Sequence, residues 1–138
     1  ERKMKNMKKD CELVAIKNDI KFKWNTKFPI NTLYLMRGYL VIESKLKEKF
    51  FNICFEAYWK DNIDISNEIN INEILESTGF DKKKFFDEIK NIKVKNELIN
   101  LTKNAFENDI FGAPTFVVNN KIFWGQDRLD YALDEYNS

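Results

Sequence analysis

Near its C-terminus the chain runs Phe111-Gly112-Ala113-Pro114-Thr115-Phe116-Val117-Val118, then Asn119-Asn120, then Ile122-Phe123-Trp124-Gly125-Gln126-Asp127-Arg128-Leu129. No other stretch restricts the fold as strongly. Proline cannot donate to a sheet ladder, so Pro114 suits the first residue of a strand, an edge or a bulge. A glycine ahead of it and a β-rich run behind it predict a tight turn fixed by the proline, with a cis peptide as one way to make it. Asn119 and Asn120 tolerate positive φ at both central positions of a two-residue hairpin turn. The segment therefore reads as two strands, 115–118 and 122–124, followed by a helix from Asp127 to about Tyr136.

The rest of the chain reads as helices. Met4, Met7, Cys11, Val14 and Ile16 recur at roughly helical spacing among lysines, which predicts a surface helix over 1–21. Phe28-Pro29 breaks the pattern, and Asn31 or Thr32 caps a new helix with Leu33, Met36, Leu40 and Tyr39 toward the interior. Phe50, Phe51, Cys54, Phe55, Tyr58 and Trp59 give the helix over 45–60 a broad apolar side. A short helix over 71–78 stops at Gly79, a good residue for a left-handed helix end. Asp81 caps the next helix, carrying Phe85, Phe86 and Ile89, and a further helix covers 92–108.

Composition removes several classes of function. The chain has 138 residues, enough for one domain with a sizeable core. Twenty-three basic residues face 22 acidic ones, so there is no electrostatic footprint for nucleic acid. No apolar run is long enough to span a membrane. There is no His, and Cys11 and Cys54 form no Cys-x-x-Cys pair, so no metal site and no His-dependent triad is expected. Both thiols are expected to be buried and inert, as free cysteines commonly are.

Two strands alone make a marginal sheet in water. They need partners that residues 1–109 do not offer. The motif supplies a resolution. Phe-Gly-Ala-Pro-Thr-Phe at 111–116, with Phe-Trp-Gly-Gln-Asp-Arg-Leu at 123–129, resembles the 2-hydroxychromene-2-carboxylate isomerases, relatives of kappa-class glutathione transferases and of DsbA-type disulfide oxidoreductases. Phe28-Pro29-Ile30-Asn31-Thr32 is similar to the family's Phe-Pro-x-Asn-Thr. Ala57-Tyr58-Trp59 with Asp64-Ile65-Ser66 is similar to its Tyr-Trp and Asp-Ile-Ser. Lys3, Met7 and Asp10 match a family helix in which Asn6 replaces a Tyr. The resemblance implies an α/β, thioredoxin-like fold of the DsbA/kappa type that is mostly helical by content. Residues 1–109 would be its helical insertion and 110–138 its C-terminal ββα unit. The missing sheet partners would come from an N-terminal βαβ unit of roughly 30 or more residues preceding residue 1.

The resemblance also implies chemistry. A serine just after the family's first strand orients the thiol of glutathione; no residue of this chain stands there, so no catalytic residue is expected and the isolated chain should be inactive. Ala113 and Pro114 would offer backbone groups to glutathione, a peptide-like ligand suited to pairing along a sheet edge. Gln126 and Asp127 would hold its γ-glutamyl end, although Asp127 reads equally as a helix cap. Lys3, Trp124 and Arg128 are candidate substrate contacts; a solvated lysine, a packing aromatic and a surface ion pair are their structural readings. The expected partners are glutathione and a small aromatic substrate, with no nucleic acid or membrane, in a homodimer. Glutathione use without paired cysteines implies a cytoplasmic setting. Two other readings stay open: a DsbA-type disulfide oxidoreductase whose redox pair lies upstream, and a non-catalytic remnant.

Overall fold

The computed structural model describes every residue from Glu1 to Ser138. The elements follow in the order α1 (Arg2–Lys17), α2 (Leu33–Val41), α3 (Ser44–Trp59), α4 (Glu68–Thr78), α5 (Lys82–Glu88), α6 (Ile92–Glu107), β1 (Thr115–Val118), β2 (Lys121–Trp124), a single 3₁₀ turn (Gln126–Arg128) and α7 (Leu129–Tyr136). Contacts divide the chain into two compact units, Glu1–Lys95 and Asn96–Ser138. That division falls inside α6, whereas the expected boundary at 109/110 marks where helix gives way to hairpin.

The first unit is a helical core. Phe85 and Leu75 are fully buried, with Phe50, Ile71, Ile74 and Ile42 close to it. Burying a side chain of this size contributes about 1.5–3 kcal/mol each. Local chemistry sets the helix ends. The Asn67 side chain accepts from the Ile69 N–H at 2.8 Å, and Asp81 accepts from the Lys84 N–H at 2.6 Å. Gly79 ends α4 with φ +84°, a conformation that costs glycine little. Asn31 accepts from the Leu33 N–H at 3.0 Å, so it holds the start of α2 while Thr32, the N-cap residue, makes no side-chain cap bond.

The inward face of α2 differs from the expected one. Leu33, Met36 and Tyr39 are exposed and Leu40 is half-buried; Leu35 and Gly38 are the buried positions. The cause is a notch. Gly38 has no side chain, and a Cβ placed there would overlap the Phe85 ring. The ring therefore lies against the α2 backbone, and the face that carries Leu35 and Gly38 is buried in place of the stripe of larger apolar residues. In α3, Phe50, Cys54 and Tyr58 are buried as expected, while Phe51 and Phe55 face outward.

The loop before α2 is tied down by a residue with no motif. Asn25 is 1 % exposed. Its amide donates to the carbonyls of Tyr58 (2.9 Å) and Ile63 (3.0 Å), and its oxygen accepts from the Lys27 N–H (2.8 Å). Over this clamp sits an aromatic cluster in which Trp59 meets Trp24 at 5.6 Å, Phe22 at 5.7 Å and Phe28 at 5.8 Å. Helix α1 is a surface helix as expected, with Ala15 its one buried residue. The cysteines part ways. Cys54 is buried, and desolvation pushes its thiol up to about 12. Cys11 is only half-buried, because the stripe it shares with Met4, Met7 and Val14 is exposed rather than covered.

In the second unit β1 and β2 pair antiparallel, Thr115 opposite Trp124 and Val118 opposite Lys121. Asn119 (φ +50°) and Asn120 (φ +59°) form the turn in the left-handed conformation read from the sequence. Helix α7 is held across the hairpin by Glu135, which pairs with Lys121 Nζ at 2.6 Å and accepts from the Asn119 amide at 3.1 Å. The Lys121 bond, then the Asn119 bond, keep the Glu135 carboxyl below its ordinary titration range.

Gly38→Ala should destabilise the protein by about 1–3 kcal/mol, the range for overpacking a filled core, even though alanine is the better helix former. Chemical denaturation of the two proteins checks this; equal or higher stability in the variant would contradict the notch.

Candidate functional site

The proline turn and the start of the final helical segment meet at one end of the hairpin. The Ala113–Pro114 peptide is cis. The Gly125 N–H donates to the Pro114 carbonyl at 3.0 Å, one step beyond the ladder that pairs Thr115 with Trp124. The register of two four-residue strands thus brings Pro114 beside Gly125, and Ala113 and Gln126 are the next residues outward on each side. The Thr115 hydroxyl bonds back to the Gly112 carbonyl at 2.6 Å and closes the turn from inside. The N–H and C=O of Ala113 have no partner within the protein, and the residue is exposed. A backbone donor and acceptor are therefore open at the strand entrance.

Aromatic packing holds this end. Trp124 meets Phe111 edge-to-face at 4.9 Å, and its indole nitrogen lies against Gly112 so closely that any Cβ there would overlap it. Trp124 is still 54 % exposed, so it walls the turn and keeps a face to solvent.

Gly125 has φ +114°, a region that residues with side chains rarely adopt. A Cβ on it would stand 2.6 Å from Asp127 Oδ1. The carboxylate lies over the glycine, in a 3₁₀ turn that precedes α7 instead of inside the helix. This corrects the cap reading of Asp127: neither the 3₁₀ turn nor α7 has a side-chain cap bond. Asp127 pairs instead with the Arg128 guanidinium at 2.9 Å, and both side chains are exposed. Arg128 also lies over the Tyr131 ring at 5.6 Å.

Of the residues singled out from the sequence, Ala113, Pro114, Trp124, Gln126, Asp127 and Arg128 thus share one end of the second unit. Lys3 belongs to the other unit, exposed on α1. Gly125 was not among the site residues expected from the sequence; its positive φ and missing Cβ make room for the Asp127 carboxylate. A glycine directly after a strand and two residues before an acid was the available signal. What this end can do chemically is present one backbone N–H, one backbone C=O and one carboxylate to a short peptide-like ligand.

Comparison with known proteins identifies the family of the chain. A model described as a DsbA-like thioredoxin domain matches residues 1–137, and the chain belongs to that family. A 2-hydroxychromene-2-carboxylate isomerase of Sphingobium xenophagum is 25% identical over 134 residues, which is 97% of this chain and 68% of that protein. The enzyme of the same name from Pseudomonas sp. (strain C18) is 31% identical over 80 residues, 58% of this chain and 38% of the relative. A solved 2-hydroxychromene-2-carboxylate isomerase superposes with a TM-score of 0.85 at 22% identity, covering 96% of this chain and 64% of that one. The chain therefore has the DsbA-like thioredoxin fold and spans about two thirds of the length of that solved relative. No helix is long and apolar enough to cross a membrane.

Gly125→Ala should cost about 1–3 kcal/mol, the usual toll of an unfavourable backbone region, and should displace the Asp127 carboxylate. Thermal unfolding measures the first effect and a crystal structure of the variant the second; an unshifted Asp127 would show that the glycine does not shape this turn.

Proposed function

We propose that the protein acts as a glutathione-dependent isomerase on a 2-hydroxychromene-2-carboxylate or a related aromatic compound. The end of the second unit described above would serve as its glutathione half-site. The observation that carries the reading is the pairing of an open backbone N–H and C=O at Ala113 with the uncapped carboxylate of Asp127 across the Pro114–Gly125 hydrogen bond. The names of its relatives support the reaction class.

The donor set suits glutathione. An extended peptide adds to a sheet edge through main-chain hydrogen bonds, and Ala113 has both partners free. An ammonium group needs a free acceptor; Asp127 provides one in Oδ1, because its Oδ2 is the atom paired with the Arg128 guanidinium. Glutathione supplies, when bound, the thiol whose reversible addition to a conjugated double bond permits rotation about that bond, with no net oxidation. The roles of this chain's residues are then positional. Ala113 and Pro114 set the height of the ligand backbone, Gln126 and Asp127 fix its far end, and the exposed face of Trp124 bounds one side. Lys3 is proposed as the partner of a substrate carboxylate. A homodimer in the cytoplasm completes the proposal.

Losing a charge-assisted hydrogen bond costs about 1.5–3 kcal/mol, so Asp127→Ala should weaken glutathione binding by ten- to a hundredfold. Because Asp127 caps nothing, the melting temperature should stay where it is. Titration calorimetry and thermal melts on the same variant read both quantities. Unchanged affinity would remove Asp127 from the site.

A further inference from the structure

The first unit holds a recess that the glutathione reading does not use. It lies between α2, α3 and the loop around Phe28-Pro29-Ile30, and its volume is about 500 Å³. Its floor is Leu35, Phe50, Cys54, Tyr58 and Ile65, each between 2% and 8% exposed. Its rim is Met36, Tyr39, Phe51 and Phe55, which are 39–52% exposed.

No lining residue carries a charge at neutral pH, and half of them are aromatic. The rings form flat walls: Phe51 and Phe55 lie 4.4 Å apart at 30°, and Tyr39 meets Phe51 edge-on at 6.5 Å. Polar groups are few, chiefly the Thr32, Tyr39 and Tyr58 hydroxyls and the Cys54 thiol. The Tyr58 hydroxyl is buried and has no hydrogen-bond partner within the protein, so an occupant with one hydrogen-bonding atom could meet it. Burial keeps the Cys54 thiol protonated, so it adds no charge.

Each feature narrows the occupant. Small-molecule sites run from about 300 to 1,000 Å³ and are mostly apolar with a few polar groups, which this recess matches. A stable protein interface has roughly 20–30 residues on each side, whereas this recess is lined by fourteen. Aromatic walls favour a flat ring stacked or edge-on against them. A carboxylate or ammonium placed here would lose its water and find no counter-charge. We propose that this recess is a binding site for a small uncharged aromatic molecule of roughly two or three fused rings, held between the walls of α2 and α3. This inference does not rest on the glutathione reading, since every residue of the site lies between Phe28 and Ile65.

The test uses N-phenyl-1-naphthylamine, an uncharged probe that brightens in apolar surroundings, on the purified protein. The expected result is saturable binding of one probe per chain. Naphthalene should displace it at least tenfold more effectively than naphthalene-1-carboxylate. Cys54→Phe, which fills the floor, should abolish binding. If that variant fails to fold, Phe55→Ala decides: Phe55 is 52% exposed, so its loss should leave the circular dichroism intact and weaken the probe about three- to tenfold. Four results overturn the proposal: no saturation, equal displacement by the carboxylate, a folded Phe55→Ala variant with unchanged affinity, or probe signal per chain that falls as protein concentration rises, which would mean that a second copy fills the recess.

Discussion

One hydrogen bond decides whether the candidate site exists, the 3.0 Å bond from the Gly125 N–H to the Pro114 carbonyl. It extends the hairpin past the last ladder pair and holds the mouth shut. Four-residue strands joined by a two-residue turn have little stability of their own. Two further contacts compensate. Trp124 packs between Phe111 and Gly112 at the mouth, and Glu135 of α7 grips Lys121 and Asn119 at the turn. A change at either end would loosen the register that sets Pro114 beside Gly125. The site is thus a product of register, and the side chains at it are simple.

The first unit is organised by two long-range choices. Asn25 satisfies two carbonyls near the end of α3, and Gly38 accepts the ring of Phe85. Buried carbonyls without donors are costly, so the amide stabilises the loop by removing that cost as well as by forming bonds. With the loop held and the face of α2 that carries Leu35 and Gly38 inward, Met36 and Tyr39 come to the outside and the recess opens between α2 and α3. The recess is therefore a consequence of how the core closes.

What could be read from the sequence was local. Pro114, the Asn119-Asn120 turn, Gly79 and the Asp81 cap each act on their own backbone, and the structure has all of them where expected. Strand limits agree to within a residue, and the long helices α3 and α6 to within one at each end. Two of the mistakes concern partners far away in the chain. The inner face of α2 was misjudged because Phe85, 47 positions on, fills the space at Gly38. Asn25 stood out in no sequence pattern because its partners are 33 and 38 positions away. Asp127 was read as a possible cap because the 3₁₀ turn that displaces it from the helix start depends on the left-handed Gly125. Cys11 was taken as buried because free cysteines commonly are, whereas the apolar stripe it shares on α1 stays exposed.

The central claim is that glutathione lies along Ala113 and reaches the Gln126–Asp127 turn. Amide chemical shifts of the isotopically labelled protein, followed through a titration with glutathione, address it most directly. The account predicts saturable shifts centred on Ala113, Gly125, Gln126 and Asp127, with the Asn119-Asn120 turn at the opposite end of the hairpin unmoved. Saturable shifts that leave those four amides in place, or no shifts at millimolar glutathione, would contradict it.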